Sequence, residues 1–299
     1  MSKMHADEFE IDIVLVKRLL SSQFPEWAGL PIKPVPSAGT DNALFRLGND
    51  KVVRLPRIDW AVGDVEKECN WLPKIAPFLP VAIPSPIAKG SPTKEYPWPW
   101  SIYHWLEGTN PVVGNIPDPD LLTSDLVAFI QALHKINLPN GPISHRGVPL
   151  KQKQDIETQR ALKQLDGMID VQAVAAIWDE VLKAPNWTKP PVWVHGDLSP
   201  GNLLLQNGRL SAVIDFGNLG IGDPACDLII AWNLLPADMR HAFRTKLGVD
   251  DATWQRGKGW ALSCALIALP YYKETNPALA GNARYAIQEI IDDDRCKTC

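Results

Sequence analysis

Residues 193–218 read WVHGDLSPGNLLLQNGRLSAVIDFGN, and three of them have the types and spacing for chemistry. Asp197 follows a His-Gly pair at the end of an apolar run, Asn202 lies five residues on, and Asp215 closes a second apolar run broken only by Ser211. A carboxylate at the end of a buried strand is costly unless something cationic meets it. Phosphoryl transfer asks for this set, because it needs a positioned nucleophile and neutralised phosphate charge more than covalent help. On that reading Asp197 orients or accepts the proton of a substrate hydroxyl. Asn202 and Asp215 hold Mg²⁺, a cation that takes a few protein oxygens and leaves its other positions to water and phosphate. The two strands flanking Gln206-Asn207-Gly208 form a hairpin that brings Asn202 and Asp215 close together. The bland alternative makes Asp197 a turn residue and Asp215 a strand-end cap. Against it stand the offset to Asn202 and the further acids Asp223 and Asp227 in GDPACDL.

This segment resembles the aminoglycoside phosphotransferase family, which is similar to macrolide, choline and fructosamine kinases. The match lies in His195-Gly196-Asp197 with Asn202, in Ile214-Asp215-Phe216, and in Asp223-Pro224 with Asp227. QALHKI (131–136) is similar to the family's Ala-Leu-His helix. The resemblance implies a bilobal protein-kinase-like fold, transfer from ATP or GTP with Mg²⁺, and a small hydroxylated acceptor of the aminoglycoside or macrolide type. A metabolic alcohol such as choline or a sugar, and a silent nucleotide-binding module, stay open beside it. It further implies that Asp227 holds the catalytic loop and that His195 orients it.

The same resemblance places Arg54 of VVRLP where the family has its phosphate-contacting basic residue, paired with Glu68 of the next helix, or with Glu66 as second choice. Better-known relatives carry lysine at this place. Arginine brings a planar fork able to bridge phosphate and carboxylate, and is not equivalent to an ammonium. A solvated arginine at a strand exit is the other reading. Ser37, Gly39 and Thr40 would form the nucleotide loop, with an ordinary hairpin turn as the alternative. Backbone groups from Ile102 to His104 would read the purine edge, with packing an equal explanation.

The elements that must position these residues are legible in outline. Apolar positions at helical spacing give an opening helix over 7–23. Strand pieces at 43–47 and 52–55 flank a Gly-Asn-Asp turn. A helix follows through WAVGDVEKECNWLPKI, then strands in IPSPIAKGS and WPWSIYHWLEG. Helices are expected over 118–137, 151–166 and 171–184, and again beyond Pro224. The pattern is α+β, with a mainly antiparallel sheet in a small N-terminal lobe, 1–107, and a larger helical C-terminal lobe, 108–299.

The 299 residues are 45% hydrophobic and 21% charged, with a net charge of −4, an ordinary globular composition. No basic stripe points to nucleic acid. No apolar run reaches membrane-spanning length, and the acidic start is unlike a signal peptide. Five cysteines without framework spacing suit a reducing compartment, so a cytoplasmic location is expected, and Cys296 and Cys299 read as part of a frayed tail. A cationic acceptor would need carboxylates, for which Asp155, Glu157, Asp250, Asp251 and the acids of QEIIDDD are candidates beside the plain reading of solvated helix faces. The tryptophan-bearing segment at 251–263 and the tyrosine-bearing one at 266–277 would instead wall an apolar acceptor. SHRGVPL (144–150) reads as a polar loop, with His145 and Arg146 facing the cleft as the other reading.

Overall fold

The computed structural model describes residues 8–36, 39 and 41–296. Chain order gives α1 (Ile13–Gln23), β1 (Ile32–Pro34), β2 (Asn42–Leu47), β3 (Lys51–Pro56), α2 (Val62–Ile75), β4 (Pro86–Gly90) and β5 (Trp100–His104). These strands form one antiparallel sheet in the order β1-β2-β3-β5-β4. The period-2 alternation of strands sorts its side chains. Ala43, Phe45, Leu47, Val53, Leu55 and Ile102 are buried in a cluster with Leu15, Val16, Leu19 and Leu20 of α1. The intervening positions face the other way, and that is where Arg54 and Tyr103 meet α2. The first helix begins at Ile13, where Asp12 caps it by accepting from the Leu15 N–H at 2.7 Å.

One strand was not foreseen. β1 lies in a proline-rich stretch, Pro31, Pro34 and Pro36, that argues against a strand. It survives because it sits on the sheet edge, where a missing N–H costs no ladder bond.

The helical part follows with α3 (Pro119–His134), α4 (Leu150–Gln164) and α5 (Val171–Val181). Four short strands come next: β6 (Val192–Val194), β7 (Leu203–Gln206), β8 (Arg209–Val213) and β9 (Gly220–Gly222). Last come α6 (Ile230–Asn233), α7 (Ala237–Leu247), α8 (Asp251–Tyr272) and α9 (Pro277–Arg295). Asp118, Asp170, Asp250 and Asn276 cap α3, α5, α8 and α9 through their side-chain oxygens. A second, larger core joins α3, α5, α8 and α9 around Trp178, Trp193, Trp232 and Trp260. β7 and β8 form the expected hairpin around Asn207 and Gly208, both at positive φ as a tight two-residue turn requires. β6 pairs with β9, a Gly-Ile-Gly strand too short and too glycine-rich to be read from sequence. The structure shows the protein-kinase-like arrangement: an N-terminal five-stranded antiparallel sheet followed by a mainly helical part. Among the described residues no helix is long and apolar enough to cross a membrane.

Candidate functional site

Asp197 lies just beyond β6, on a loop held from below by Asp227. The buried Asp227 carboxylate accepts from the His195 N–H at 3.2 Å and the Gly196 N–H at 2.7 Å. His134, at the end of α3, shares the same carboxylate at 3.0 Å. The His195 ring is also buried. Its Nε2 sits 3.1 Å from the Ile214 carbonyl, and its Nδ1 accepts from the Asp197 N–H at 3.1 Å. His195 therefore spans the two segments that carry Asp197 and Asp215, with both ring nitrogens engaged.

Asn202 stands at the head of β7 and Asp215 just past β8, so the hairpin fixes their spacing. The Ile214 N–H donates to the Asn202 carbonyl at 2.9 Å. The side-chain nitrogen of Asn202 donates to the Asp197 carbonyl at 2.8 Å and stands 3.5 Å from its Oδ2. Its amide oxygen is left as the ligand end. Asp215 has φ 61°, a left-handed conformation uncommon outside glycine and found at sites where the surroundings hold it. One oxygen of Asp215 accepts from Arg54 at 2.8 Å, and among the described residues no donor meets the other. An amide oxygen and a carboxylate are the hard donors that Mg²⁺ takes. The described residues contain no converging group of three or more His, Cys, Asp or Glu. The donor set thus fits an ion bound by few protein ligands and completed by phosphate oxygens.

Arg54 leaves β3 on the α2 side. Its Nη1 donates to both oxygens of Glu68 at 2.6 Å, and its Nη2 to Asp215. Glu68 is wholly buried and also accepts from the Tyr103 hydroxyl at 2.6 Å. Burial works against the charge on Arg54, yet the Glu68 and Asp215 carboxylates hold the guanidinium well above its ordinary range. Burial together with Glu68 pushes the Tyr103 phenol up. Glu66 points elsewhere, to Lys89 and Asn70 on the surface. A second clasp comes from the α2 residue adjacent to Glu68, Lys67, which bonds to the Gly217 carbonyl and to Asp64 at 2.8 Å. Burial raises the Asp64 carboxyl despite Lys67 beside it.

The remaining sequence candidates fall as follows. Ser37 and Thr40 lie outside the described residues, and Gly39 between them is exposed. Ile102 is buried in the sheet core, and its strand β5 is interior, paired on both edges. His104 is exposed, with its N–H donating to the Ser85 carbonyl at 3.0 Å. The acids proposed for a cationic acceptor are engaged within the chain. Asp155 accepts from the Trp178 indole at 2.9 Å and Glu157 from Arg160 at 2.6 Å. Asp250 caps α8, and Asp251 pairs with Arg244. Asp293 takes the Trp232 indole and Arg240, Glu289 takes Arg240, Asp294 takes Lys258, and Asp292 takes Gln288. Trp254 and Trp260 are buried and serve the core.

Arg146 lies on the polar loop expected from sequence, and of the two readings given for it the cleft-facing one is what the structure shows. Its Nη1 bonds directly to Asp197 and donates to the Gly196 carbonyl at 3.1 Å. Burial opposes its charge, but Asp197 overcomes that and raises the guanidinium above its ordinary range. No local signal marks it, because 51 residues separate the partners and only the packing of its loop on β9 joins them.

The fold and the joined acids, amide and arginine define a protein-kinase-like phosphotransferase. The chain belongs to the phosphotransferase enzyme family known as APH, whose model matches residues 32–260. It is 30% identical over 155 residues to an aminoglycoside 3'-phosphotransferase of Escherichia coli, covering 47% of this chain and 54% of that protein. It is 33% identical over 121 residues to one of Streptomyces fradiae, covering 38% and 44%. The chain therefore spans about half the length of the curated relatives it matches. Among solved structures, the GDP and kanamycin complex of APH(2")-IIia superposes with a TM-score of 0.75 at 19% identity, covering 94% of this chain and 99% of that one. The macrolide 2'-phosphotransferase MphH of Brachybacterium faecium gives 0.59 at 19% identity, covering 92% and 97%. At these identities the structural likeness speaks to the fold.

Proposed function

We propose that this protein transfers the γ-phosphoryl group of ATP or GTP to a hydroxyl of a small molecule. The observation that carries the reading is the fixed placement of Asp197 beside Asn202, with Asp215 tied to the same hairpin and to Arg54. Asp197 orients the acceptor hydroxyl and takes its proton. Arg54, held by Glu68, meets the nucleotide phosphates. Asn202 and Asp215 would hold Mg²⁺, which when bound neutralises phosphate charge. The division of labour between a nucleotide-binding lobe, 1–107, and a catalytic lobe, 108–299, belongs to the same proposal, as does a cytoplasmic site of action. Ser37, Gly39 and Thr40 would face the phosphates, and the β5 backbone near Ile102 and His104 the base.

The relatives' names make aminoglycosides and macrolides the first acceptors to try. A metabolic alcohol is the second reading, and the arginine on Asp197 favours it. The test is a screen for nucleotide diphosphate release and phosphorylated product, with ATP and with GTP, over both antibiotic classes and small alcohols. Wild type is expected to turn over with at least one acceptor. Asp197→Ala is expected to lose at least about a hundredfold in kcat, the scale of a positioned acid–base group. Full activity in that variant refutes the assignment.

A further inference from the structure

Among the described residues, the ion pair made by Asp197 is with Arg146, so a cation already occupies the ground beside the reacting carboxylate. Arg146 is held there by its loop as well as by its charge. The Ser144 hydroxyl donates to the Asn218 carbonyl at 2.8 Å, and the Arg146 N–H donates to Ser144 Oγ at 3.3 Å. The backbone on either side is pinned to β9. The Ser144 N–H donates to the Ile221 carbonyl at 3.1 Å, and the Asp223 N–H to the Gly147 carbonyl at 2.9 Å. A Cβ on Gly222 would stand 2.4 Å from Gly147, so the two segments leave no room to slide. The guanidinium is thus a fixed feature of the acceptor side. Of the acids that could draw in a polyamine, Asp155, Glu289, Asp293 and Asp294 are paired within the chain, whereas Glu157, Asp250, Asp251 and Asp292 stand exposed on helix surfaces.

We propose that Arg146 makes this site select an acceptor whose reacting hydroxyl has no ammonium group beside it, an uncharged or anionic alcohol. This rests on the phosphotransfer reading and deepens it. Like charges brought together at a desolvated contact discriminate strongly between partners, and specificity of this kind comes from a repulsive element. During transfer the acceptor O–H bond breaks and its proton goes to the Asp197 oxygen that Arg146 does not hold. The acceptor oxygen bonds to the γ-phosphorus. The bond from that phosphorus to the bridging oxygen breaks, and its electron pair leaves with the nucleoside diphosphate. Arg146 acts through Asp197 as a positioning residue and carries the charge selection.

Matched pairs that differ only by N-acetylation test this: glucosamine with N-acetylglucosamine, and kanamycin with its fully N-acetylated form. Affinity is measured by calorimetry on the full chain with Mg²⁺ and a non-hydrolysable nucleotide, and transfer is scored separately with ATP and GTP. Wild type is expected to bind the acetylated member at least about tenfold more tightly, a modest outcome for one like-charge contact near a protein surface. Arg146→Gln should bring that ratio to one or below. Arg146→Lys should keep the ratio but lower kcat, because an ammonium retains the charge and loses the fork. Equal or tighter binding of the free amines, an unchanged ratio in Arg146→Gln, or binding of neither member of any pair overturns the proposal. Charge selection without phosphate transfer leaves the selection standing and removes the phosphotransfer reading instead.

Discussion

Removing the carboxylate of Glu68 is the sharpest test of how the phosphate side is built. Glu68 is wholly buried and receives three hydrogen bonds, two from Arg54 and one from Tyr103, each at 2.6 Å. Taking one partner from a buried ion pair typically costs about 3–5 kcal/mol, because the other charge is left without compensation. Arg54 is not left alone, since Asp215 remains at 2.8 Å and the Arg54 side chain is 12% exposed. That favours the low end, about 3 kcal/mol, to which the unsatisfied Tyr103 hydroxyl adds about 1 kcal/mol. For a chain of this length the sum corresponds to a fall of roughly 8 °C in Tm. Glu68→Ala is therefore expected to melt well below wild type and Glu68→Gln in between. The decisive measurement is a double-mutant cycle with Arg54→Met and Glu68→Leu. Both single variants are expected to be destabilised, and the double variant by less than their sum by about 2 kcal/mol, because the pair then disappears as a unit. Additivity within about 0.5 kcal/mol refutes the reasoning. Nucleotide affinity should fall at least about tenfold in Glu68→Ala, as Arg54 loses the carboxylate that holds its Nη1 in place.

Two further outcomes follow from contacts elsewhere. Asp125 on α3 takes Arg209 at 2.6 and 2.8 Å and the Leu210 N–H at 3.1 Å, and the Arg209 bond holds its carboxyl below the usual range against the effect of burial. A depressed folded pKa contributes stability above the unfolded value near 4 and loses it as pH falls through the folded one. Asp125→Asn should thus lower Tm by about 2 °C at pH 7, a small effect because Arg209 is mostly exposed, and the gap to wild type should close in melts below pH 4. A gap that persists unchanged at pH 3 counts against the ion pair. Gly222→Ala would drive a methyl into the Gly147 backbone at 2.4 Å, where no side chain can move aside. It should cost about 1–3 kcal/mol in unfolding measurements and weaken acceptor discrimination by displacing the Arg146 loop. A neutral result on both counts contradicts the packing described.

The parts legible in the sequence were those whose signal is local. Asn202 and Asp215 flank one hairpin and Asp197 lies on the loop that leads into it, so the structure keeps together what the chain places close together. The β2–β3 hairpin and α2 were legible because period-2 and period-3.6 patterns follow one after the other. What sequence hid was contact between distant segments. Arg146 meets Asp197 only because a loop packs on β9, and β9 itself is three residues with two glycines. Tyr103 looked like a packing residue, yet the alternation of β5 sends its hydroxyl to Glu68 while Ile102 goes to the opposite core. Among the acids of α4, α8 and α9, Glu157, Asp250, Asp251 and Asp292 lie exposed as solvated faces would. Asp155, Glu289 and Asp293 instead partner indoles and an arginine, an outcome that charge spacing cannot reveal.

The two acids of the opening segment are fastened to different parts of the molecule, and that difference carries a functional consequence. Asp197 depends on Asp227, which ties the loop to the end of α3, and on Arg146, which ties it to β9. Asp215 depends on Arg54 and therefore on β3 and Glu68, while Lys67 grips the same loop at Gly217 from α2. A shift of α2 relative to the hairpin would therefore act on Asp215 and Arg54 together, through polar clasps at the adjacent residues Lys67 and Glu68. Asp197 would feel it only through His195 and Asn202, the two side chains that bridge the segments. Under the proposed function, phosphate alignment would respond to the sheet and α2, while Asp197 stays fixed to the helical core.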